Sequence, residues 1–442
     1  MTDSIGTLVA ATPSIDAVAE FFGMSRAALW VVLTGATTNV ACALVGCYLV
    51  LRRMSMMGDA LAHAVLPGLV VAFLFSGSTS IVPLFIGATI CGLLTTFLTQ
   101  TLHQYARVPS DASMGVVFTS LFALGVVLVK KFVGGLHFDI ACVYEGTLEL
   151  VSLAEPVAGV PRPLFTTTIV LFVNLAALVL LWKELKISAF DPALATTMGI
   201  SATAMHYLLM TLVAVTAVAS FEAVGSILVV AMLIVPAATA HLLTDRLWMM
   251  VLLSTLVGIA SSVLGYWMAS IWNTNIAGMM TVSAGLLYTL AVFFSPRYGI
   301  CSTVLRNLRM SLRVLREDVL AMLYRVEELG SDKRLTVAEA GEAVGGGWLS
   351  RLGMRNLQQA GRIRRDGDML QLTESGREAA RQLVRSHRLW ETYLVQHLGM
   401  PLDHVHEPAH RVEHFIDDRL REELESEITT DGQDPHGRKI PK

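Results

Sequence analysis

A succession of long apolar runs fills the first 295 residues and limits what this chain can fold into. Each run is long enough to cross about 30 Å of hydrocarbon as a helix, and together they occupy residues 27–51, 60–76, 80–102, 114–132, 165–185, 206–224, 226–243, 247–270 and 275–295. Val224 and Gly225 alone separate the sixth run from the seventh, so eight and ten runs are alternatives to nine. With 54% hydrophobic residues, the chain is richer in them than soluble proteins are. The sequence therefore predicts an all-α polytopic membrane domain of about eight or nine transmembrane helices.

The charged residues divide the chain in two. Residues 1–295 hold 10 Lys and Arg against 13 Asp and Glu, whereas residues 296–442 hold 23 of each. This contrast predicts a membrane body followed by a soluble domain whose balanced charge exerts no bulk attraction on nucleic acid. The five cysteines show no CxxC spacing, which argues against a thiolate metal site. No Gly-Lys dipeptide occurs, so a Walker A loop is excluded and the chain is not expected to be an ATPase itself.

Basic residues in the short loops predict the orientation of the spans. With nine spans, one side of the membrane receives Arg52, Arg53, Arg107, Lys183, Lys186 and Arg246. That side is predicted to be the cytoplasm and to hold the soluble domain, while Lys130 and Lys131 lie outside. The segment SIDAVAEFFGM predicts either a short interfacial helix or a flexible tail. Residues 133–164 are predicted to form an outer loop or a re-entrant segment.

The soluble half has the order of a winged helix-turn-helix. A helical pattern over residues 301–329 precedes Thr336 and Glu339, which fit a capping box, and then a triple glycine. A helix follows, and RIRRDGDMLQLT predicts a hairpin around Asp366-Gly367. Two more helices are predicted, one from an N-cap at Thr373 to about residue 398 and one over about residues 408–427. From residue 429 onward we expect disorder.

Asp59 and His63 stand four residues apart, on one face of a helix. Charged groups in the hydrocarbon are costly and usually face an interior path, and a carboxylate with an imidazole suits a divalent first-row metal. The alternative is that Asp59 caps the helix near the headgroups and His63 is a core histidine. A second polar set, Glu222, Ser226 and His241, is more simply interfacial.

The densest group of possible metal ligands lies near the C-terminus. Seven of the 12 histidines follow residue 386, and the candidate ligands there are His387, Glu391, His406, His410, Glu413 and His414. Residues 410, 413 and 414 share a face of the last predicted helix. Nitrogen and oxygen ligands without sulfur favour Mn²⁺, Zn²⁺ or Fe²⁺ over copper(I). A charged amphipathic helix pair without metal is the alternative.

Three blocks of the membrane half resemble the permeases of zinc and manganese ABC importers: LVLRRMSMMGDALAHAVLPGLVVAFL, VPSDASMGVVFTSLFALGVVLV and FEAVGSILVVAMLIVPAATAHLLT. The resemblance runs from about residue 25 to 296. It implies a second permease subunit, separate ABC ATPase subunits and an extracytoplasmic metal-binding protein as partners. It also implies metal contact at Asp59 and His63, and ATPase coupling through residues 190–201, with Phe190, Asp191, Pro192 and Gly199 as the candidate residues.

The soluble half resembles the iron- and manganese-dependent repressors of the diphtheria toxin repressor family, both in element order and in LTESGREAARQLVRSHRLWETYLVQHLGMPLDHVHEPAHRVEHF. The resemblance implies metal ligands at the six C-terminal residues named above and at Asp318, which is the manganese-type choice. His410 departs from both types, and Ala321 replaces a carboxylate of manganese sensors. DNA is not an expected partner, although five arginines could meet it: Arg351, Arg355, Arg362, Arg364 and Arg365.

These expectations combine into one domain plan and one function. The plan is an N-terminal tail or interfacial helix (1–26), a permease domain (27–296), a linker helix with a winged-helix domain (297–372), a helical metal-binding and dimerisation region (373–428) and a disordered end (429–442). The function is uptake of a divalent metal, Mn²⁺ first and then Zn²⁺ or Fe²⁺, with the metal also bound by the tail as a regulator and no permanent cofactor. A membrane-anchored metal-dependent transcription factor and a secondary metal transporter are the alternatives.

Overall fold

The computed structural model describes residues 25–77, 81–132, 148–157, 159–330, 335–429 and 432–441. The chain divides into two compact units, Met1–Ser302 and Thr303–Lys442, and each has a hydrophobic core of its own. The predicted interfacial helix, residues 14–24, lies outside the described residues, as do residues 133–147 of the predicted outer loop.

The first unit is a helical bundle with one short two-stranded sheet. Its described helices are α1 (Arg26–Leu51), α2 (Met56–Ala64), α3 (Leu66–Ser76), α4 (Ile81–Tyr105), α5 (Ser110–Phe132), α6 (Arg162–Leu180), α7 (Trp182–Phe190), α8 (Pro192–Thr197), α9 (Ala202–Leu243), α10 (Leu247–Trp272) and α11 (Ile276–Phe294). A 3₁₀ turn at Leu148–Leu153 and an antiparallel pair, β1 (Pro156–Val157) with β2 (Val160–Pro161), precede α6.

Eight helical stretches of the described residues are long and apolar enough to cross a membrane: α1, α2 with α3, α4, α5, α6, the first part of α9, α10 and α11. The remaining predicted run is Leu228–Leu243, a shorter apolar helix. Gly225, with φ 75° and ψ 165°, divides α9 at this point. Glycine adopts such a conformation without the steric cost that a side chain brings. The narrow gap between the sixth and seventh predicted runs is therefore a real break in the helix.

Helix α1 is the most buried of these spans and packs against α6, α9 and α10. At Gly46 the backbones meet so closely that an added Cβ would lie 1.9 Å from the carbonyl oxygen of Leu233. The buried amide of Asn39 on α1 finds partners inside the bundle, since its Nδ2 donates to the hydroxyls of Ser261 and Ser262 at 3.0 and 3.1 Å. Small residues and internal hydrogen bonds are what close helix packing within a membrane requires.

The loops of the first unit gather at two ends. One cavity is lined by residues 51–54 and by Gln100, His103, Ser188, Ala189, Pro192, Ala202, Thr203 and His206. The thiol of Cys47 lies near the carbonyl of Met250 at that end (3.9 Å). At the other end, Glu149 accepts a hydrogen bond from the backbone N–H of Ile276 at 2.8 Å, and Arg162 faces Glu222. We call the first of these the basic end, because the short loops with the basic residues named in the sequence analysis lie there.

The second unit begins with a long helix and ends with a histidine-rich helical region. Its described elements are α12 (Ile300–Glu328, which starts at the boundary), α13 (Val337–Ala343), α14 (Gly347–Gln359), β3 (Ile363–Asp366), β4 (Met369–Leu372), α15 (Glu374–Leu398), α16 (His406–Val412) and α17 (Asp418–Glu427). Both halves of the capping box at Thr336 and Glu339 are formed, and Thr373 caps α15 through Gly376. Strands β3 and β4 pair antiparallel, as the hairpin motif predicts.

Two predictions for the C-terminal region differ from the structure. The single helix expected over residues 408–427 is broken into α16, a 3₁₀ turn at Glu413–Phe415 and α17. Asp417 causes the new start, because its side chain accepts from the N–H of Leu420 and caps α17. In place of the expected disorder after residue 429, residues 432–441 form a compact loop in which Ile440 and Asp434 are buried. Asp434 orders this loop by accepting from the N–H groups of His436 and Arg438.

Candidate metal centres

The first candidate centre is the pair Asp59 and His63 on α2. Their Oδ1 and Nε2 atoms lie 3.5 Å apart, and each side chain is about one third exposed (38% and 32%). The His63 ring lies 6.2 and 5.8 Å from the rings of Phe118 and Phe122 on α5. The groups of three or more ligands found in the described residues both lie in the second unit. This site thus offers one oxygen and one nitrogen, a set suited to brief contact with an ion.

The predicted coupling residues form an exposed helix–turn–helix at the basic end. Helix α7 ends at Phe190, which is 57% exposed, and Oδ1 of Asp191 caps α8 by accepting from the N–H of Leu194 at 2.9 Å. Pro192 occupies the first turn of α8, where proline costs no hydrogen bond. Gly199, at φ 81°, ends the segment. The sequence did not single out Leu194, which adds a second exposed apolar side chain at 50% exposure.

The other predicted polar set is dispersed. Glu222 lies 3.9 Å from Nε of Arg162 at the end opposite the basic end. His241 is exposed in the last turn of α9, and the side chain of Ser226 lies outside the described residues. These positions agree with the interfacial reading of the set.

All seven predicted ligands of the soluble half fall into two clusters. The first cluster joins His387 and Glu391 of α15 to His406 at the start of α16. Oε1 of Glu391 lies 2.9 Å from Nε2 of His387 and 2.5 Å from Nδ1 of His406. His387 and Glu391 are almost fully buried because they face the packed side of α15, whereas His406 is open to solvent.

The second cluster joins Asp318 of α12 to His410, Glu413 and His414. Oδ1 of Asp318 lies 3.4 Å from Nε2 of His414 and 4.0 Å from Nε2 of His410, and Nδ1 of His410 lies 2.9 Å from Oε1 of Glu413. The 3₁₀ turn at residues 413–415 turns both Glu413 and His414 inward, where they are buried. The break in the last helix therefore builds this cluster.

Four buried atoms in these clusters lack a hydrogen-bond partner among the described residues: Oδ1 of Asp318, Nδ1 of His387, Oε2 of Glu413 and Nε2 of His414. The Nδ1 of His387 and Oε2 of Glu413 are only 2.6 Å apart, yet the contact lacks hydrogen-bond geometry. Buried polar atoms without partners are costly. A divalent cation would satisfy oxygen and nitrogen atoms together, so the residues present fit a metal of the Mn²⁺, Fe²⁺ or Zn²⁺ class.

Imidazoles and carboxylates of the two clusters shift each other's pKa values toward the charged forms. Burial disfavours the charged form of His414, but the carboxylates of Asp318 and Glu317 outweigh burial and raise its pKa to about 9. For His387 burial also opposes the charge, but the adjacent carboxylates of Glu391 and Glu413 raise the pKa above its usual value. The pKa of Glu391 falls despite burial, because His387 and His406 face it. Protons on the imidazoles stabilise the clusters by balancing the charge of the carboxylates. A bound metal ion would displace these protons.

Sequence reasoning missed three supporting residues. Glu317 accepts from Nδ1 of His414 at 2.8 Å and so directs the other ring nitrogen toward Asp318. His436 stacks on His406 with ring centroids 4.4 Å apart. Asp434 lies 3.6 Å from the guanidinium of Arg388. Glu317 could have been predicted from the sequence, because it adjoins the predicted ligand Asp318. His436 and Asp434 could not, because the polar composition of the last 14 residues predicts disorder.

Two family models match the chain. Residues 24–295 match the ABC 3 transport family, and residues 373–442 match the metal binding and dimerisation domain of iron dependent repressors. The chain is 45% identical over 285 residues to the manganese transport system membrane protein MntD of Bacillus subtilis, covering 64% of this chain and 96% of that protein.

Two further comparisons extend this likeness. The zinc transport system membrane protein TroD of Treponema pallidum is 37% identical over 354 residues, which cover 78% of this chain and 96% of that protein. Among solved structures, PsaBC from Streptococcus pneumoniae in complex with Fab has a TM-score of 0.53 at 32% identity, covering 61% of this chain and 91% of that one.

Proposed function

Because the chain belongs to the ABC 3 transport family, we propose that it is the membrane permease of an importer for a divalent transition metal ion. Mn²⁺ is the first candidate and Zn²⁺ or Fe²⁺ the next, since the similar proteins named above are manganese and zinc transport proteins. The observation that carries the proposal is the pairing of a carboxylate and an imidazole on α2 within a multi-pass bundle of this family.

Asp59 and His63 would contact the ion during passage. Two ligands are too few to retain a metal, and conduction requires that binding be weak enough for release. The partial exposure of both side chains leaves room for further ligands from water or from a second permease subunit. An extracytoplasmic metal-binding protein would deliver the ion to the end opposite the basic end.

Separate ATPase subunits would supply the energy. The exposed α7–α8 turn, with Phe190 and Leu194 presenting apolar surface at the basic end, is the segment that we assign to ATPase docking. This assignment makes the basic end cytoplasmic, in agreement with the positions of the basic loop residues.

The second unit would sense cytosolic metal and adjust transport. Its two clusters would hold the ion through Asp318, His387, Glu391, His406, His410, Glu413 and His414. The ion would accept lone pairs from the four buried atoms that have no hydrogen-bond partner among the described residues. With ligands contributed by α12, α15 and α16, metal would tie these helices together and stabilise one arrangement of the unit.

Uptake of radiolabelled Mn²⁺ by cells that lack this chain, and by the same cells with the chain restored, tests the proposal. We expect restored accumulation that requires the ATPase partner, with excess Zn²⁺ and Fe²⁺ as competitors to identify the preferred ion. Equal accumulation with and without the chain for all three ions would contradict the proposal.

A further inference from the structure

A cationic cavity of about 550 Å³ lies at the basic end of the first unit. The turn after α1, the last turns of α4, the α7–α8 segment and the start of α9 form its walls, with Arg52, Arg53, His103, Ser188 and His206 as the principal polar residues. None of its lining residues is an aspartate or a glutamate. The nearest carboxylate along the chain, Asp191, is engaged in capping α8. The cavity therefore concentrates donors and positive charge without a carboxylate in its walls.

Arg52 is the central cation of this cavity. Its Nη2 donates to the hydroxyl of Ser188 at 2.9 Å, and its Nη1 lies 3.3 Å from Nδ1 of His206. Two further nitrogens have no hydrogen-bond partner among the described residues although they are buried: Nε of Arg52 and Nε2 of His206. A guanidinium removed from water normally pairs with an anion. The unsatisfied edge of Arg52 thus indicates a negatively charged ligand that the described residues do not supply.

The shape and position of the cavity narrow the choice of ligand. A guanidinium offers parallel donors that match the oxygens of a phosphate, and the first turn of α9, through Ala202 and Thr203, contributes the positive end of a helix dipole. The walls are the ends of three membrane-spanning helices, α1, α4 and α9, which is the depth at which phospholipid headgroups lie. Basic pockets between such helix ends are suited to anionic headgroups.

We propose that this cavity binds a phosphate group, and that its source is the headgroup of an anionic phospholipid. The ligand would contact Arg52 and His206 at the foot of the α7–α8 turn. Because Ser188, Ala189 and Pro192 line the same cavity, a bound headgroup would brace this turn from inside the bundle. The proposal depends on membrane placement and cavity chemistry, not on which ion is transported.

Native mass spectrometry of the purified full chain, released from membranes containing phosphatidylglycerol and phosphatidylcholine, tests this binding. We expect retained phosphatidylglycerol in the wild-type chain and at least about a fivefold loss in Arg52→Gln. Arg107→Gln is the matched control, since Arg107 also belongs to a short loop at the basic end and has a positive φ (55°) but lies outside the cavity; it should retain the lipid fully.

A second variant guards against a folding defect, because Arg52 also binds Ser188. Arg53 lies in the same turn with an exposed side chain, so Arg53→Gln should weaken retention while leaving the fold intact. Inorganic phosphate is added in a separate arm. Equal retention of both lipids, or unchanged phosphatidylglycerol in both cavity variants, would overturn the proposal. If the wild-type chain retains inorganic phosphate, the Arg52→Gln chain does not, and neither retains phosphatidylglycerol, the lipid source would be overturned in favour of a soluble phosphate.

Discussion

Nδ1 of His387 and Oε2 of Glu413 lie 2.6 Å apart and join the two metal-ligand clusters of the second unit. Glu413 uses its other oxygen, Oε1, toward His410 at 2.9 Å. One buried carboxylate therefore faces both clusters, so occupation of one cluster should affect the charge balance of the other.

Glu413→Gln should weaken metal binding by the whole second unit. The amide keeps the shape of the side chain but removes the negative charge that both clusters share. We expect Mn²⁺ affinity, measured by calorimetric titration of the purified full chain, to fall by about tenfold or more. Glu407→Gln is the control, because Glu407 lies on α16, just before the turn that holds Glu413, is exposed and pairs only with Arg411 in the ion pairs of the described residues. Equal affinities for the two variants would count against a shared carboxylate.

Combined His387→Ala and His414→Ala changes should abolish inhibition of uptake by cytosolic Mn²⁺ while leaving initial uptake in metal-starved cells unchanged. Each change removes one buried ligand, one from each cluster. The matched control combines His397→Ala with His404→Ala, two histidines of the same region that are exposed and outside both clusters. Inhibition that persists in the first double variant would argue against sensing by this unit.

Gly46→Ala should destabilise the first unit, because the added methyl group would lie 1.9 Å from a carbonyl oxygen of the neighbouring helix. Forcing such helices apart typically costs about 1–3 kcal/mol or more. Gly115→Ala meets nothing within 4 Å and is the control. Thermal unfolding of both variants in the same detergent would show a lowered midpoint for the first alone, and equal midpoints would contradict the close approach of α1 and α9.

Acid should loosen the start of the second unit through Glu328. A hydrogen bond from Arg388 holds the pKa of Glu328 below its usual 4.5. A lowered carboxyl pKa stabilises the fold above the unfolded pKa, and the benefit is lost as pH falls through the folded pKa. Amide exchange in α15, corrected for intrinsic pH effects, should therefore accelerate below about pH 4.5. Arg388→Gln should reduce this pH dependence to the part that the lowered pKa of Glu391 contributes, whereas Arg377→Gln, on an exposed ion pair of the same helix, should preserve it in full.

Local rules predicted most elements because their signals lie within a few residues. Thr336 with Glu339, Thr373 before α15, and the glycine between the sixth and seventh apolar runs each mark an element boundary by short-range chemistry. The predictions for the C-terminal region were wrong because the signals that decide its structure are mainly long-range. The cap at Asp417 is a local signal, but the buried turn at Glu413 and the ordered final loop depend on contacts with α12 and α15, such as His414 with Glu317 and Asp434 with Arg388, which are distant in sequence.

The candidate metal sites show the same contrast between local signals and long-range contacts. The spacing of Asp59 and His63 on one helix was readable from the sequence, and so was the list of C-terminal ligands. The division of those ligands into two clusters was not, since it depends on Asp318 arriving from a helix about 90 residues earlier in the chain. The cationic cavity was also hidden, because its arginines and histidines come from three separate segments.

The most direct test of the central claim is metal accumulation in cells whose only copy of this permease carries Asp59→Ala. Removal of the carboxylate leaves His63 as the one remaining ligand of the proposed transit site, so we predict that Mn²⁺ uptake falls at least about tenfold, while the protein remains in the membrane and assembled with its partners. Asp111→Ala, which removes an exposed carboxylate from the first turn of α5, should leave uptake unchanged. Normal accumulation in the Asp59→Ala cells would contradict the assignment of Asp59 and His63 as the transit site.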